Sequence, residues 1–419
     1  MKKKIETKIL HAGKIDENFG AVATPIYRST TYRMNEKIYS LIKKYCKTED
    51  LNYKMSDEEL RELRYHIFYT RDANPNVALL QKKMASIEEC DDCVASSSGM
   101  GAISSTLLSL IKGKKYIIST PHLYGITFSF IFNELREMFG VETVMLEDFL
   151  SGKCKIKEKD ISAIYVESMS NPFLIIPPLD EIVEKRNEEF PDVPVIVDNT
   201  FLTPVNFKPF NILDNKKDVV IYSATKYLSG HSDVIAGIAC GGLMRVNKIW
   251  EKILLYGSCL DAESAYYLER GLKTLHLRME CHNKNMYEVF EYLMSNSDKY
   301  DLKIFHPLAY KNIPDFAREI VEKRRLGGMI TFNINGKSEK DGIKFMKILD
   351  ENGVITHATS LGGVESLISM PYNSSQPTPK QQELIGLKKY KCLLRLSVGI
   401  ENSEDIINSM EFAFKKICR

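Results

Sequence analysis

Chemically useful groups follow four short apolar segments of the sequence, each at the point where the segment ends. They are Ser98-Gly99 after residues 94–96, Asn171 after 163–166, Asp198 after 195–197 and Lys226 after 219–222. A turn of small residues that enters a helix offers free backbone N–H groups to a phosphate. A lysine amine forms an imine with an aldehyde, and a carboxylate keeps a pyridine nitrogen protonated. If the segments are parallel strands, their carboxyl ends share one sheet edge and the four groups meet in one cleft.

Each of these residues also has a simpler structural explanation. Asp198 fits a helix cap, Asn171 fits the first position of an Asn-Pro turn, and Lys226 fits a solvated surface lysine. Four such coincidences at four segment ends are less expected than a single cleft. Ser223 and Thr225 flank Lys226, so their hydroxyls can reach a phosphate while the amine reaches an aldehyde carbon. The set predicts a site for pyridoxal 5'-phosphate (PLP).

The elements that must position these groups alternate along the chain from about residue 76. Short segments, apolar almost throughout, are separated by longer helical stretches, a pattern typical of parallel strands covered by helices on both faces. This predicts an α/β domain with a mostly parallel sheet, followed by a smaller α+β domain. We expect an N-terminal arm at 1–66, the α/β domain at 67–260 and the α+β domain at 261–419. The predicted strands of the α/β domain are 94–96, 116–119, 143–146, 163–166, 195–197 and 219–222.

The N-terminal arm has too little apolar pattern to fold alone. Ser56-Asp57-Glu58-Glu59 has the spacing of a capping box, which predicts a charged helix over residues 60–65. We therefore expect the arm to pack on the rest of the chain or on another subunit.

Composition and charge point to a small-molecule ligand. The chain has 419 residues, of which 44% are hydrophobic and 27% charged, and a net charge of +2 with the two signs interspersed. A nucleic-acid-binding face or a membrane patch is therefore not expected. No apolar run reaches the ~18 residues that span a bilayer, and the basic start at Met1 is not followed by the apolar stretch of a signal peptide. The sequence predicts a cytoplasmic enzyme.

The nine cysteines are scattered through the chain and predict no disulfide framework. Cys90 and Cys93 have the spacing of a metal-binding pair. No second CxxC or CxxH pair is present to complete a tetrahedral site. We interpret the pair as part of a turn between a helix and a strand, and we predict no metal ion.

The motifs, taken together, identify a family. The chain resembles the Cys/Met-metabolism PLP enzymes, which include cystathionine γ-synthase, cystathionine γ- and β-lyases and methionine γ-lyase. The most specific motif surrounds Lys226. The matching segments are Tyr69-Thr70-Arg71, Ser98-Gly99-Met100, Leu123-Tyr124-Gly125, Asp198-Asn199-Thr200-Phe201, Ser223-Ala224-Thr225-Lys226-Tyr227-Leu228-Ser229-Gly230-His231-Ser232-Asp233, Ser360-Leu361-Gly362-Gly363 and Arg395-Leu396-Ser397-Val398-Gly399.

The resemblance implies a fold and a set of roles. The large domain would have the fold of PLP-dependent transferases of the aspartate aminotransferase type I. Lys226 would carry PLP as a Schiff base and move protons, Asp198 would pair with the ring nitrogen, and Tyr124 would stack on the ring and protonate the leaving group. The other implied contacts are Gly99, Met100, Ser223 and Thr225 to the phosphate, Asn171 to the ring hydroxyl side, and Arg395 with Ser360 to the substrate carboxylate.

The resemblance also implies a shared active site. Tyr69 and Arg71 match residues that reach the phosphate from a neighbouring subunit. A homotetramer built as a dimer of dimers is the assembly expected of this family.

Two positions and one four-residue segment depart from the family and affect the choice of reaction. Thr359 stands where cystathionine enzymes often have Glu, Ile126 stands where methionine γ-lyases usually have Cys, and Asn373-Ser374-Ser375-Gln376 replaces a usual Thr-His pair. The stretch between Thr31 and Tyr69 is longer than usual, as a surface insertion or as part of the cleft entrance. We predict γ-elimination on methionine, homocysteine or cystathionine. The alternatives are γ-replacement on an activated homoserine ester and β-elimination on cystathionine or cysteine.

Overall fold

Two β-sheets organise the chain. The structure is a computed structural model that describes residues 3–13, 20–46, 55–376 and 378–418. The first sheet has seven strands: β1 (Asp92–Ser96), β2 (Tyr116–Ser119), β3 (Glu142–Met145), β4 (Ile161–Glu167), β5 (Val195–Asp198), β6 (Val219–Ser223) and β7 (Gly237–Gly241). The second has five: β8 (Leu302–Phe305), β9 (Met329–Ile334), β10 (Ile355–His357), β11 (Ser366–Ser369) and β12 (Leu393–Ser397).

The seven-stranded sheet is mostly parallel, in the order β1-β7-β6-β5-β4-β2-β3. Strands β2 to β6 pair in parallel, while β7 runs antiparallel to both β1 and β6. Alternate residues of one strand enter different cores: Ile164 and Val166 of β4 pack in one, and Ala163 and Tyr165 in the other. The sheet is thus covered on both faces, and the predicted α/β class with a mostly parallel sheet is confirmed.

Strand β3 differs from the expectation of burial on both faces. It lies at the edge of the sheet, where Glu142 is exposed and the next three residues are half-buried. An edge strand has one neighbour instead of two, so less of its surface is covered.

The N-terminal arm packs on the same chain through its third helix. Its helices are α1 (Ile5–His11), α2 (Glu36–Cys46) and α3 (Asp57–Tyr65). The predicted capping box is confirmed, because the Ser56 hydroxyl accepts from the Glu59 N–H and the Glu59 carboxylate accepts from the Ser56 N–H. Buried Arg64 donates to Asn247 Oδ1 at 2.7 Å and to Asp92 Oδ2 at 3.3 Å, which fixes α3 against the first sheet.

Helices cover the seven-stranded sheet and connect its strands. They are α4 (Pro75–Glu88), α5 (Gly99–Leu108), α6 (Gly125–Ser129), α7 (Leu135–Phe139), α8 (Leu146–Leu150), α9 (Leu179–Glu189), α10 (Thr203–Asn206) and α11 (Leu243–Tyr256). A π-helical turn (Phe130–Glu134) joins α6 to α7. Strands that belong to one parallel sheet need such crossovers, because each must start again at the same edge.

The five-stranded sheet has the order β10-β11-β12-β9-β8 and is antiparallel except for the β10–β11 pair. The remaining helices are α12 (Ala262–Leu272), α13 (Leu275–Ser295), α14 (Ser297–Tyr300), α15 (Arg318–Glu322), α16 (Glu339–Glu351), α17 (Pro379–Leu384) and α18 (Ser403–Ile417). No helix in the described ranges is long and apolar enough to cross a bilayer.

Helix α13 holds the segment that follows β6. Buried Arg278 donates from Nη1 to the Tyr227 carbonyl at 2.7 Å and from Nη2 to the Leu228 carbonyl at 3.3 Å. Gly230 has φ +74°, and a Cβ there would lie 1.9 Å from Arg278 Nη1, so a side chain would displace the guanidinium. The turn that carries Lys226 is therefore fixed from outside its own sheet.

Candidate active site

A cavity of about 390 Å³ opens at the carboxyl edge of the parallel strands. Loops and strands of the five-stranded sheet close its other side. The sequence-predicted residues that line it are Gly99, Met100, Tyr124, Asn171, Asp198, Ser223, Thr225, Lys226, Ser360 and Arg395. Gly99, Asn171, Asp198 and Lys226, which follow four predicted strands, therefore lie in one cleft, as expected from the rule that the carboxyl ends of parallel strands share one edge (the strand-end rule).

Lys226 presents a partly neutralised amine to this cavity. It lies three residues after the end of β6, and its Nζ donates to Ser360 Oγ at 2.8 Å. Burial, and then the positive charge of Arg395, lower the pKa of Lys226 to about 8. A lysine of lowered pKa is the nucleophile that imine formation needs.

Asp198 is the buried carboxyl group of the site. It ends β5, and its Oδ1 accepts from the Thr200 N–H at 3.0 Å and from the Thr200 hydroxyl at 2.5 Å. The same hydroxyl oxygen accepts from the Ser223 N–H at 2.8 Å, which ties the ends of β5 and β6 together. Burial raises the pKa of Asp198, so the group is suited to share a proton with a basic ring nitrogen.

The N-terminus of α5 offers a seat for a phosphate group, called the phosphate seat below. Ser98 caps the helix by accepting from the Gly101 N–H at 3.0 Å, and the next residues, Gly99 and Met100, face the cavity. A Cβ on Gly99 would lie 2.7 Å from Ser223 Cβ, so only glycine lets the helix start approach the β6 turn this closely. Unpaired N–H groups and the helix dipole favour an anion here, and the donors fit a phosphate group.

Arg395 offers a buried cation to the cavity from β12. Its Nη1 donates to Asn171 Oδ1 at 3.1 Å and its Nη2 to the Ser360 carbonyl at 3.3 Å. Burial lowers the pKa of Arg395 to about 10, so the guanidinium stays charged at neutral pH. Both acceptors are neutral, and the cation is therefore available for the carboxylate of a ligand.

Glu167 is a site residue that the sequence interpretation did not select. It ends β4, lines the cavity, and accepts from the Tyr124 N–H at 2.6 Å through Oε1. Burial, and then the neighbouring charge of Asp198, raise the pKa of Glu167 well above its ordinary value. The signal was present, because Glu167 also directly follows an apolar segment, but nothing in the sequence distinguished it from a solvated carboxylate.

The phenol of Tyr124 stands at the mouth of the cavity. Tyr124 precedes α6 and is 40% exposed. The Gly125 N–H donates to the Ser375 carbonyl at 2.8 Å, which joins this turn to the loop after β11. Hydrogen bonds on both sides of the turn thus fix the backbone while the ring faces the cavity.

Tyr69 and Arg71 are not part of the cavity within one chain. They line a separate surface hollow beside Trp250. The Arg71 guanidinium lies over the Tyr69 ring, 5.2 Å from its centroid, and the Arg71 side chain is 60% exposed. Tyr69 and Arg71, two of the predicted cofactor contacts, are therefore exposed on the surface of their own chain.

An amine, a carboxyl group and a phosphate seat in one cleft meet the needs of a single cofactor. Enzymes that use PLP form the class of protein with this combination on this fold. A family model described as Cys/Met metabolism PLP-dependent enzyme matches residues 6–415. The chain belongs to that family. The family, the enzyme class and the cofactor expected from the sequence are confirmed.

Known proteins are similar over the full length. An L-methionine gamma-lyase of Fusobacterium nucleatum subsp. nucleatum is 34% identical over 416 residues, covering 98% of each chain. A cystathionine beta-lyase of Lactococcus lactis subsp. cremoris is 32% identical over 420 residues, covering 98% of this chain and 99% of the other. The crystal structure of cystathionine gamma-lyase from Lactobacillus plantarum complexed with L-serine superposes with a TM-score of 0.81 at 30% identity, covering 99% of each chain.

Proposed function

We propose that this PLP-dependent enzyme catalyses γ-elimination on methionine or a closely related sulfur amino acid, releasing a thiol, a 2-oxo acid and ammonia. The observation that carries the proposal is the chemistry of the cavity beyond the carboxylate-binding residues. Ile235, Thr359 and Leu361 line it with apolar or neutral groups. Such a surface suits a thioether, whereas the distal ammonium of cystathionine would be stabilised by a carboxylate.

The carboxylates of the cavity have other partners. Among its lining residues in the described chain they are Glu167 and Asp198, which are held by the Tyr124 turn and by Thr200. Neither is free to bind a distal ammonium. The similarity to L-methionine gamma-lyases supports the same substrate class.

Arg395 is the group that orients the substrate. Its guanidinium would bind the α-carboxylate, and Asn171 and the Ser360 carbonyl hold it in place. Because Ser360 also accepts from Lys226, one loop residue positions both the anion-binding group and the amine. The substrate Cα would then be held within reach of Lys226.

PLP, when bound, withdraws electrons and so stabilises negative charge at the substrate Cα. Lys226 takes the Cα proton in its neutral form, which its lowered pKa makes accessible near neutral pH. Tyr124 donates a proton to the departing sulfur, since its phenol stands at the cavity mouth. Gly99, Met100, Ser223 and Thr225 would hold the phosphate, and Asp198 the ring nitrogen.

The assembly belongs to the same proposal. We infer that Tyr69 and Arg71 complete the phosphate site of a second copy, because in their own chain they are exposed and lie apart from the cavity. An isologous dimer would place the Tyr69–Arg71 pair of each subunit in the site of the other, and two such dimers would make the tetramer.

The experiment that tests the reaction is mass spectrometry of 2-oxo acids after incubating PLP-loaded enzyme separately with methionine, homocysteine, cystathionine and cysteine. We expect 2-oxobutanoate from methionine. Pyruvate alone would assign β-elimination. No oxo acid from any substrate, together with product from an O-acyl-homoserine and a thiol, would assign γ-replacement.

A substitution at Thr359 tests the basis of the substrate choice. Thr359→Glu places a carboxylate where a distal ammonium would lie, so we expect kcat/KM for cystathionine to rise about tenfold relative to methionine. Thr356→Glu is the matched control, because Thr356 is an exposed threonine of β10 outside the cavity. If the ratio of kcat/KM for cystathionine to kcat/KM for methionine were the same in Thr359→Glu and Thr356→Glu, the proposed substrate pocket would be contradicted.

A further inference from the structure

Three cysteines meet at the end of the first sheet that is remote from the cavity. Cys90 follows α4, Cys93 lies on β1 and Cys240 lies on β7. Cys93 and Cys240 are directly paired across the two antiparallel strands. The three sulfur atoms all lie within 4.8 Å of one another, and Cys90 Sγ lies 3.7 Å from Cys93 Sγ.

This spacing fits thiolates that share one metal ion. A Zn–S bond of about 2.3 Å in a tetrahedral site implies a separation of about 3.8 Å between neighbouring sulfurs. The Cys90–Cys93 distance of 3.7 Å already has that value. The remaining pairs, at 4.8 Å or less, need only small side-chain rotations to reach it.

A buried carboxylate beside the cysteines has an oxygen without a partner. Glu88 ends α4 and is 1% exposed. Its Oε1 accepts from the Tyr222 hydroxyl, but its Oε2 has no hydrogen-bond partner among the described residues. The carboxyl group is close enough to Cys90 and Cys240 to interact with both electrostatically. An unsatisfied buried acceptor is costly, and a water molecule bound to a metal ion at the three cysteines would satisfy it.

We propose that Cys90, Cys93 and Cys240 bind one thiophilic d10 metal ion, of which Zn²⁺ is the physiological candidate, with a water molecule in the fourth position. Binding releases the three thiol protons to solvent and forms three metal–sulfur bonds, without any change of oxidation state. Cys90 is partly exposed, which gives the ion a way in. The site lies at the end of β1 and β7 that is remote from the cavity, so its role is structural rather than catalytic.

The position of the site indicates what the ion would do. Ser96 and Gly237, at the other ends of β1 and β7, adjoin the phosphate seat, roughly 10 Å along the strand from Cys93. The ion would join α4 to the two strands that carry this seat. Loss of the ion is expected to lower the thermal stability of the holoenzyme and to leave its kcat nearly unchanged.

The test is the zinc content of the PLP-loaded enzyme. After exposure to micromolar Zn²⁺ and dialysis, elemental analysis should give about one zinc per chain, and X-ray absorption should show three sulfur neighbours. Cys240→Ser should lower zinc retention at least about tenfold. Cys392→Ser is the matched control, because Cys392 is equally buried but directly precedes β12 of the five-stranded sheet, outside the three-cysteine group, and it should retain zinc fully.

Cys90→Ser provides a second variant if Cys240→Ser does not fold, since Cys90 is only partly buried. It should lose zinc while keeping the PLP absorbance. Absence of zinc from the unsubstituted enzyme would overturn the proposal, as would equal retention in Cys90→Ser. A mass lower by two hydrogens, with Cys90 and Cys93 joined as a disulfide in the freshly isolated protein, would overturn it as well.

Discussion

Lys226 Nζ donates to Ser360 Oγ at 2.8 Å, although the two residues belong to segments around different sheets. Ser360 has φ +86°, a conformation that costs a non-glycine residue about 1–3 kcal/mol. In that conformation its carbonyl accepts from Arg395 while its hydroxyl accepts from Lys226. One strained residue therefore sets the positions of the Lys226 amine and of the Arg395 guanidinium together.

Lys226→Ala tests the core of the proposed chemistry. Without the amine, PLP loses its covalent attachment and the Cα proton loses its acceptor, so we expect kcat to fall at least about 100-fold and the absorbance of attached PLP to disappear. Lys347→Ala, an exposed lysine of α16, is the control and should keep both. A Lys226→Ala protein that still turned over substrate would refute the mechanism.

The pH dependence of PLP attachment follows from the pKa of Lys226. The pKa of about 8 means that the neutral amine becomes the main form as the pH rises through that value, so the rate of attachment to the apoenzyme should rise there. Arg395→Gln removes a neighbouring positive charge that destabilises the ammonium. The midpoint should therefore move to higher pH, measured by absorbance in a pH series. An unchanged midpoint would show that burial alone lowers this pKa.

Tyr124→Phe separates leaving-group protonation from cofactor binding. The phenol hydroxyl is lost while the ring remains, so PLP should stay bound and kcat with methionine should fall about 100-fold or more. An O-acyl-homoserine releases a carboxylate, which needs no proton, and its turnover should fall much less. The ratio of the two kcat values is the measurement. Equal losses would mean that Tyr124 does not protonate the leaving group.

The parts of the site that follow strands could be predicted from sequence. Asp198 stands directly after a continuously apolar segment and Lys226 a few residues after another, and the geometry of a parallel sheet is enough to place them in one cleft. Glu167 obeys the same rule, but its burial depends on the loop of Tyr124, which only tertiary structure brings into contact. Strand β7 was not among the predicted strands, and its antiparallel direction was hidden as well, because an apolar segment does not reveal which way its strand runs.

Contacts between distant segments could not be predicted from the sequence either, because only the tertiary structure brings these segments together. Cys90 and Cys93 look like an incomplete pair in the sequence, and Cys240 joins them only through the β1–β7 register. Arg395 and Ser360 could be assigned only by resemblance, since neither follows the strand-end rule of the large sheet. Local sequence patterns thus predicted individual strands and helices, whereas contacts between residues far apart in the sequence had to be observed in the structure.

The raised pKa of Glu167 predicts how the stability of the protein depends on pH. Its pKa is raised well above the ordinary value by burial and by Asp198, so the folded chain keeps a proton that the unfolded chain releases. The free energy of unfolding should therefore decrease as the pH rises above the ordinary glutamic acid pKa. In Glu167→Gln, the unfolding temperature should decrease less over the same pH range. A pH profile identical to that of the unsubstituted protein would contradict the assignment.

The same residue has a role in placing Tyr124. Glu167→Gln keeps an acceptor for the Tyr124 N–H, whereas Glu167→Ala removes it. We expect kcat within a few-fold of the unsubstituted enzyme for Gln and a loss of about tenfold or more for Ala. If both variants lost the same activity, the ionisable carboxyl group itself would be required.

Complementation between two inactive variants tests the shared active site. Arg71 is exposed and outside the cavity of its own chain, so Arg71→Ala should remove a phosphate contact from the site of the partner copy. Lys226→Ala inactivates the site of its own chain. Random mixing of the two variants then gives dimers in which one site has both residues intact, and activity should recover to roughly a quarter of the unsubstituted level.

The control for this experiment is the same mixture made with Arg318→Ala in place of Arg71→Ala. Arg318 is an exposed arginine paired with Asp315, remote from the cavity, and its substitution should leave activity intact before mixing. Recovery should also require subunit exchange, which mild denaturation and renaturation of the mixture would provide. If Arg71→Ala alone were inactive and no activity returned after exchange, Arg71 would act within its own chain, and the active site would not be shared.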